Sequence, residues 1–202
     1  WGLENAFEFA KKFVAHYDRG AILFTASPAL RQEVETKIQE HGLKRVAFFP
    51  TSYDLLELTE LSKRSALIIT PDTSVIHFGT ASGKPTLVLW PDRDLLPMEW
   101  IPLQVPSLNL APEHRGMPVT TISVESVWAA ARKLLDKEWT ASATSIGLDP
   151  EADLLYQASN QNSALQSLIE HSNVPRVFLD GYSESVPLRI ATKLNALSPA
   201  LT

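Results

Sequence analysis

Along the first 135 residues, apolar positions alternate between helical spacing and short unbroken runs. Leu3, Ala6, Phe7, Ala10, Phe13, Val14 and Tyr17 recur on one face, which predicts an amphipathic helix over 3–17 that stops at Gly20. Ala21 to Thr25 then reads as a short buried strand. Ser27 as N-cap and Pro28 at the first helical position predict a helix to about His41, closed by Gly42. Arg45 to Phe49 is a second strand, and a helix from about Tyr53 to Lys63 is expected to turn Leu55, Leu58 and Leu61 inward. Ala66 to Thr70 is a third strand, residues 74–82 a helix, and Thr86 to Leu89 a fourth strand. A proline-rich stretch from Pro91 to Pro118 contains one candidate edge strand, Ser107 to Leu110. Val124, Val127, Trp128, Ala131, Leu134 and Leu135 form the stripe of a helix over 124–135.

Unbroken apolar strands alternating with helices indicate a parallel sheet covered on both faces. Right-handed crossovers between them make an α/β, Rossmann-like, doubly wound domain, placed at residues 1–137. Residues 138–162 are rich in Ser, Thr, Asn, Gln and Ala and read as a polar linker. Residues 163–202 read as a small α-rich or α/β extension, with helices near 163–171 and 185–195 and a strand at Arg176 to Leu179. That unit is too small to fold alone, so it is expected to pack across the core domain or across another one.

Composition narrows the partners. The net charge is −5, with no dominant basic face, which argues against nucleic acid. There is no cysteine, so disulfides, thiolate metal sites and cysteine catalysis are excluded. No run of 18 apolar residues is present to span a bilayer. The first residue is Trp1 rather than Met, from which a fragment or a processed product is expected.

The chemistry concentrates in Ala66-Leu-Ile-Ile-Thr-Pro-Asp-Thr-Ser-Val-Ile-His-Phe-Gly-Thr-Ala-Ser-Gly-Lys-Pro-Thr-Leu-Val-Leu-Trp90. A helix opening on Asp72-Thr73-Ser74-Val75 directly after a strand presents free N–H groups and a hydroxyl to a phosphate. The plainer alternative is that Asp72 or Thr73 only caps the helix. His77, one turn on, is a candidate ligand contact or a residue bonded to a nearby carbonyl. Glu33, beside Arg31 in the helix after the first strand, is a candidate for a ribose hydroxyl pair. Gly83 and Pro85 explain themselves as a helix stop and a turn, and no P-loop spacing is present. His16, His41, His77, His114 and His171 are scattered without metal-ligand spacing. No GxSxG nucleophile elbow occurs, and Asp180 is explained by a turn.

The Ala66–Trp90 stretch resembles the signature of glycosyltransferase family 9, the ADP-heptose:lipopolysaccharide heptosyltransferases: apolar strand, Asp-Thr-Gly, two residues, His, small-residue helix, Pro, second strand. Trp1 with its helix resembles the start of that family's C-terminal half, and Met98-Glu-Trp-Ile-Pro102 its Trp-x-Pro. The resemblance covers roughly residues 1–137. It implies the donor-binding domain of a GT-B fold, in which two Rossmann-like domains face each other across a cleft.

By position, the resemblance implies that Asp72 bonds the donor sugar, and that Thr73 with the backbone of Ser74 and Val75 holds the pyrophosphate. His77 lies just behind, Tyr53 lines the base pocket and Glu33 meets the ribose. The implied reaction is inverting sugar transfer without metal or cofactor, from a nucleotide-diphosphate sugar to a glycan or lipid-linked acceptor. Its catalytic base belongs to an N-terminal Rossmann-like domain outside this chain. The implied location is cytoplasmic, with peripheral attachment to the inner membrane as a variant. Two departures stand out. Ser74 replaces a glycine, which matters if the backbone there needs positive φ, and Leu89-Trp-Pro-Asp92 replaces Phe-Gly-Pro, which would reshape the sugar pocket.

Overall fold

A computed structural model describes residues 1–50, 55–91, 101–102, 104–136, 190 and 192–197. Helix α1 (Leu3–His16) leads into β1 (Ile22–Phe24), and a 3₁₀ turn at Pro28–Leu30 precedes α2 (Arg31–Glu40). Then follow β2 (Val46–Phe48), α3 (Leu55–Arg64), β3 (Ile68–Pro71), α4 (Val75–Ser82) and β4 (Thr86–Leu89). Strand β5 (Ser107–Leu110) and helix α5 (Val124–Leu135) complete the core, and residues 192–197 form a terminal helix. The four strands read from apolar runs and the proposed edge strand are all present.

Among the described residues every pairing is parallel: β1 with β2, β3 with β4, and β4 with β5, in register Ile68–Thr86–Ser107 through Pro71–Leu89–Leu110. Among the described residues no ladder joins β1 to β3, so the strands fall into a two-stranded and a three-stranded sheet. Side-chain alternation nevertheless puts them in one layer. Leu87, Leu89, Leu108 and Leu110 share a cluster with Ile22, Leu67 and Ile69, and that cluster is covered by Phe9 of α1 and by Val127, Ala130, Ala131 and Leu134 of α5. On the same side, Phe7 of α1 meets Val34 and Ile38 of α2 over Phe24 and Phe48. The opposite side carries Ile76 of α4 over Val88 and Trp90, and Leu61 of α3 with Leu23 and Phe49. Helices therefore cover both sheet faces, as the α/β reading required.

Local devices set the element ends. Gly83, at φ +67°, closes α4: its N–H donates to Thr80 O, and the next N–H, of Lys84, to Gly79 O. Arg45, also at positive φ (61°), donates its guanidinium to the carbonyls of Val14, Tyr17 and Gly20, so the end of α1 is bonded from across the chain.

Two local expectations are corrected. Ser27 precedes Pro28 as expected, but its side chain makes no capping bond, and a 3₁₀ turn intervenes before α2. Leu55 is 48% exposed, and the inward positions of α3 are taken by Glu57, Glu60 and Ser62 beside Leu61. Trp90 of the Leu89–Asp92 segment is fully buried among Ile76, Val88 and Ile101, with Nε1 donating to Asn109 Oδ1 at 3.0 Å. Residues 138–162, the helix near 163–171 and the strand at 176–179 lie outside the described residues.

Candidate functional site

Because β3, β4 and β5 run parallel, their carboxyl ends share one edge, where open α/β sheets hold ligands. The turn from β3 into α4 emerges there, with Asp72, Thr73 and Ser74 all exposed. Ser74 has φ −56° and ψ −16°, an ordinary right-handed conformation. Serine in place of glycine therefore introduces no backbone strain.

A hydroxyl relay organises the turn. The N–H of Val75 donates to Thr73 Oγ1 at 3.3 Å, and Thr73 Oγ1 lies 3.0 Å from Thr70 Oγ1. Thr70, nearly buried at the end of β3, donates to Pro71 O at 3.0 Å. The single Thr70 proton is thereby used, so the Thr73 hydroxyl is the donor between the two threonines. Thr73 Oγ1 thus receives the first N–H of α4 from the position before the N-cap residue Ser74, whose own side chain makes no capping bond. The N–H groups of Ile76 and His77 fold back on Thr73 O and Ser74 O, both at 3.1 Å. Among the described residues nothing accepts from the N–H groups of Thr73 or Ser74. These donors and the positive end of the α4 dipole lie at the carboxyl end of β3.

His77 is exposed one turn into α4, and Val75 is half-buried at its start, so five of the seven candidates (Asp72, Thr73, Ser74, Val75, His77) sit within two turns of chain. Glu33 stands apart: it is exposed on α2 and borders a shallow cleft of about 510 Å³ with Ala29, Gln32, Thr36, Lys37 and Glu40. Tyr53 lies outside the described residues. Thr70 was not singled out from sequence. Its signal was present: a polar, β-branched residue at an inward strand position, two before the Asp-Thr-Ser turn. Among the described residues no three His, Asp or Glu side chains converge as a metal site, and no helix is long and apolar enough to cross a membrane.

No protein-family model matches the chain, and no curated protein matches it. Among solved structures, the chain is similar to a glycosyl transferase family 9 protein from Veillonella parvula DSM 2008, with a TM-score of 0.54 and 22% identity. The match covers 68% of this chain and 42% of that one, so the chain spans less than half the length of its structural relative. At that identity the likeness is one of fold: over the matched stretch the chain shares a parallel α/β architecture with that glycosyl transferase.

Proposed function

We propose that this chain is the donor-binding half of an inverting, metal-independent glycosyltransferase, taking a nucleotide-diphosphate sugar of the ADP-heptose type for cell-surface glycan or lipopolysaccharide synthesis. The observation that carries this reading is the Asp72–Thr73–Ser74 turn. It is exposed, sits at the carboxyl end of β3, and leaves two backbone N–H groups open at the start of α4. Those N–H groups hold the diphosphate, and Asp72 accepts from a hydroxyl of the donor sugar. His77 lies behind them on the same helix. Tyr53 and Glu33 are assigned to the base and the ribose on the resemblance alone.

In this reading an acceptor hydroxyl, deprotonated by a carboxylate of a second, N-terminal domain, attacks the anomeric carbon. The bond from that carbon to the phosphate oxygen breaks, and the departing nucleoside diphosphate keeps the electron pair. The open N–H groups and the α4 dipole stabilise the charge that develops there. The acceptor is a glycan or a lipid-linked saccharide. The protein works in the cytoplasm, at the inner face of the membrane that carries the acceptor.

A second reading, a non-catalytic nucleotide-binding or scaffolding module, is favoured by the Thr73 hydroxyl being engaged within the turn itself. Isothermal titration with ADP, ADP-heptose and UDP sugars tests the donor assignment. Tightest binding of the ADP sugar, lost in Asp72→Ala, is expected. Binding without transfer in the protein joined to its acceptor domain selects the scaffold, and no binding of any nucleotide overturns both.

A further inference from the structure

We propose that the terminal helix is a brace for the connection between β2 and α3, with Lys193 as a positioning residue for the ligand edge of the sheet. Its connection to ligand binding rests on the donor-site reading above. Lys193 Nζ donates to Pro50 O at 3.1 Å and to Glu57 Oε2 at 2.5 Å. Pro50 stands two residues past the end of β2, and Glu57 lies in the first turn of α3. One ammonium group therefore ties the two sides of that connection together, using two of its three donors.

The tie has an apolar seat. Ile190, Lys193, Leu194 and Leu197 follow helical spacing, and the three apolar ones pack with Phe49, Leu61 and Leu23. Ile190 and Phe49 are fully buried, and the Lys193 ammonium lies 5.7 Å from the centroid of the Phe49 ring. Glu57 is only 3% exposed. A buried carboxylate needs a well-placed cation, and here the cation comes from a residue 136 positions away. The chain thus uses its terminal helix to tie Pro50, at the carboxyl end of a parallel strand, to the start of α3, on the edge from which such sheets bind ligands.

The test uses the full chain with Lys193→Met, which keeps the packing length, and Lys193→Arg, which restores the charge. Hydrogen exchange is followed in peptides covering 49–50, 55–64 and 86–89, and ADP affinity is measured by titration. In Lys193→Met, exchange in the first two segments is expected to accelerate roughly tenfold or more, while β4 is unchanged. ADP affinity falls in parallel, and Lys193→Arg recovers both. Unchanged exchange around Phe49 and Glu57, or equal acceleration in β4, overturns the brace. Loosened exchange with unaltered ADP affinity overturns its connection to the ligand. Failure of the unmodified protein to bind ADP overturns the donor reading, and the exchange data still decide the brace.

Discussion

Arg45 shows how much one side chain can organise. It occupies a left-handed backbone conformation that disfavours non-glycine residues, and its guanidinium meets three carbonyls at the end of α1. Arg45→Ala leaves those carbonyls without their charged donor and is expected to lower stability by about 2 kcal/mol in urea denaturation. Arg45→Gly relieves the backbone and loses the same bonds, so a glycine variant as stable as the parent would contradict this account. Tyr17 offers a second test. Burial, reinforced by its 2.7 Å bond to Asp136, raises its phenol from 10.0 to about 12. Between those two pH values the folded state holds a proton that the unfolded chain has released, so stability falls as pH rises through that window. Tyr17→Phe should flatten this alkaline limb, as measured by melting temperature from pH 9 to 12.

At the scale of elements, α4 and β4 depend on a missing side chain. A Cβ built on Gly79 would stand 2.2 Å from Thr86 Oγ1, so the helix lies closer to the strand than alanine permits. Gly79→Ala is expected to destabilise by about 1–3 kcal/mol, and Thr86→Ala in the same chain should recover part of the loss. Additive losses in chemical denaturation would show that the two positions do not meet. Elements whose pattern is local were legible in the sequence: β4, β5 and α5 begin and end where apolar spacing put them. The inward face of α3 was not legible. Glu57 is buried and bonded to Lys193, and Glu60 is paired with Arg64 one turn on. A partner 136 residues away leaves no mark in a local window. The candidate site was legible in part. The Asp72–Ser74 turn falls where expected, whereas the supporting bond of Thr73 to Thr70 depends on how β3 delivers its last inward residue.

For the molecule as a whole, the two strand groups differ in support. β4 is hydrogen-bonded on both sides and lies over a ten-residue buried cluster, whereas β1 and β2 pair only with each other among the described residues. Native-state hydrogen exchange is expected to resolve two levels, with amides of β1 and β2 opening before those of β4. One common opening free energy for both groups would refute this division. The three-layer plan itself was readable from sequence because unbroken apolar runs in the strands and helical spacing between them are both short-range signals. The seam between β1 and β3 was not readable, since pairing between strands is decided by packing rather than by either strand alone.

The contact between Lys193 and Pro50 spans 143 residues. During synthesis, Phe49, Leu23 and Leu61 emerge long before Ile190 and its neighbours can cover them. At ordinary elongation rates of about 5–20 residues per second, that interval is roughly 7–30 s. A nascent chain thus carries an uncovered apolar patch until residues 190–197 have emerged. Ribosome-bound chains arrested before residue 190 should engage holdase chaperones at this patch, and chains extended past residue 197 should release them.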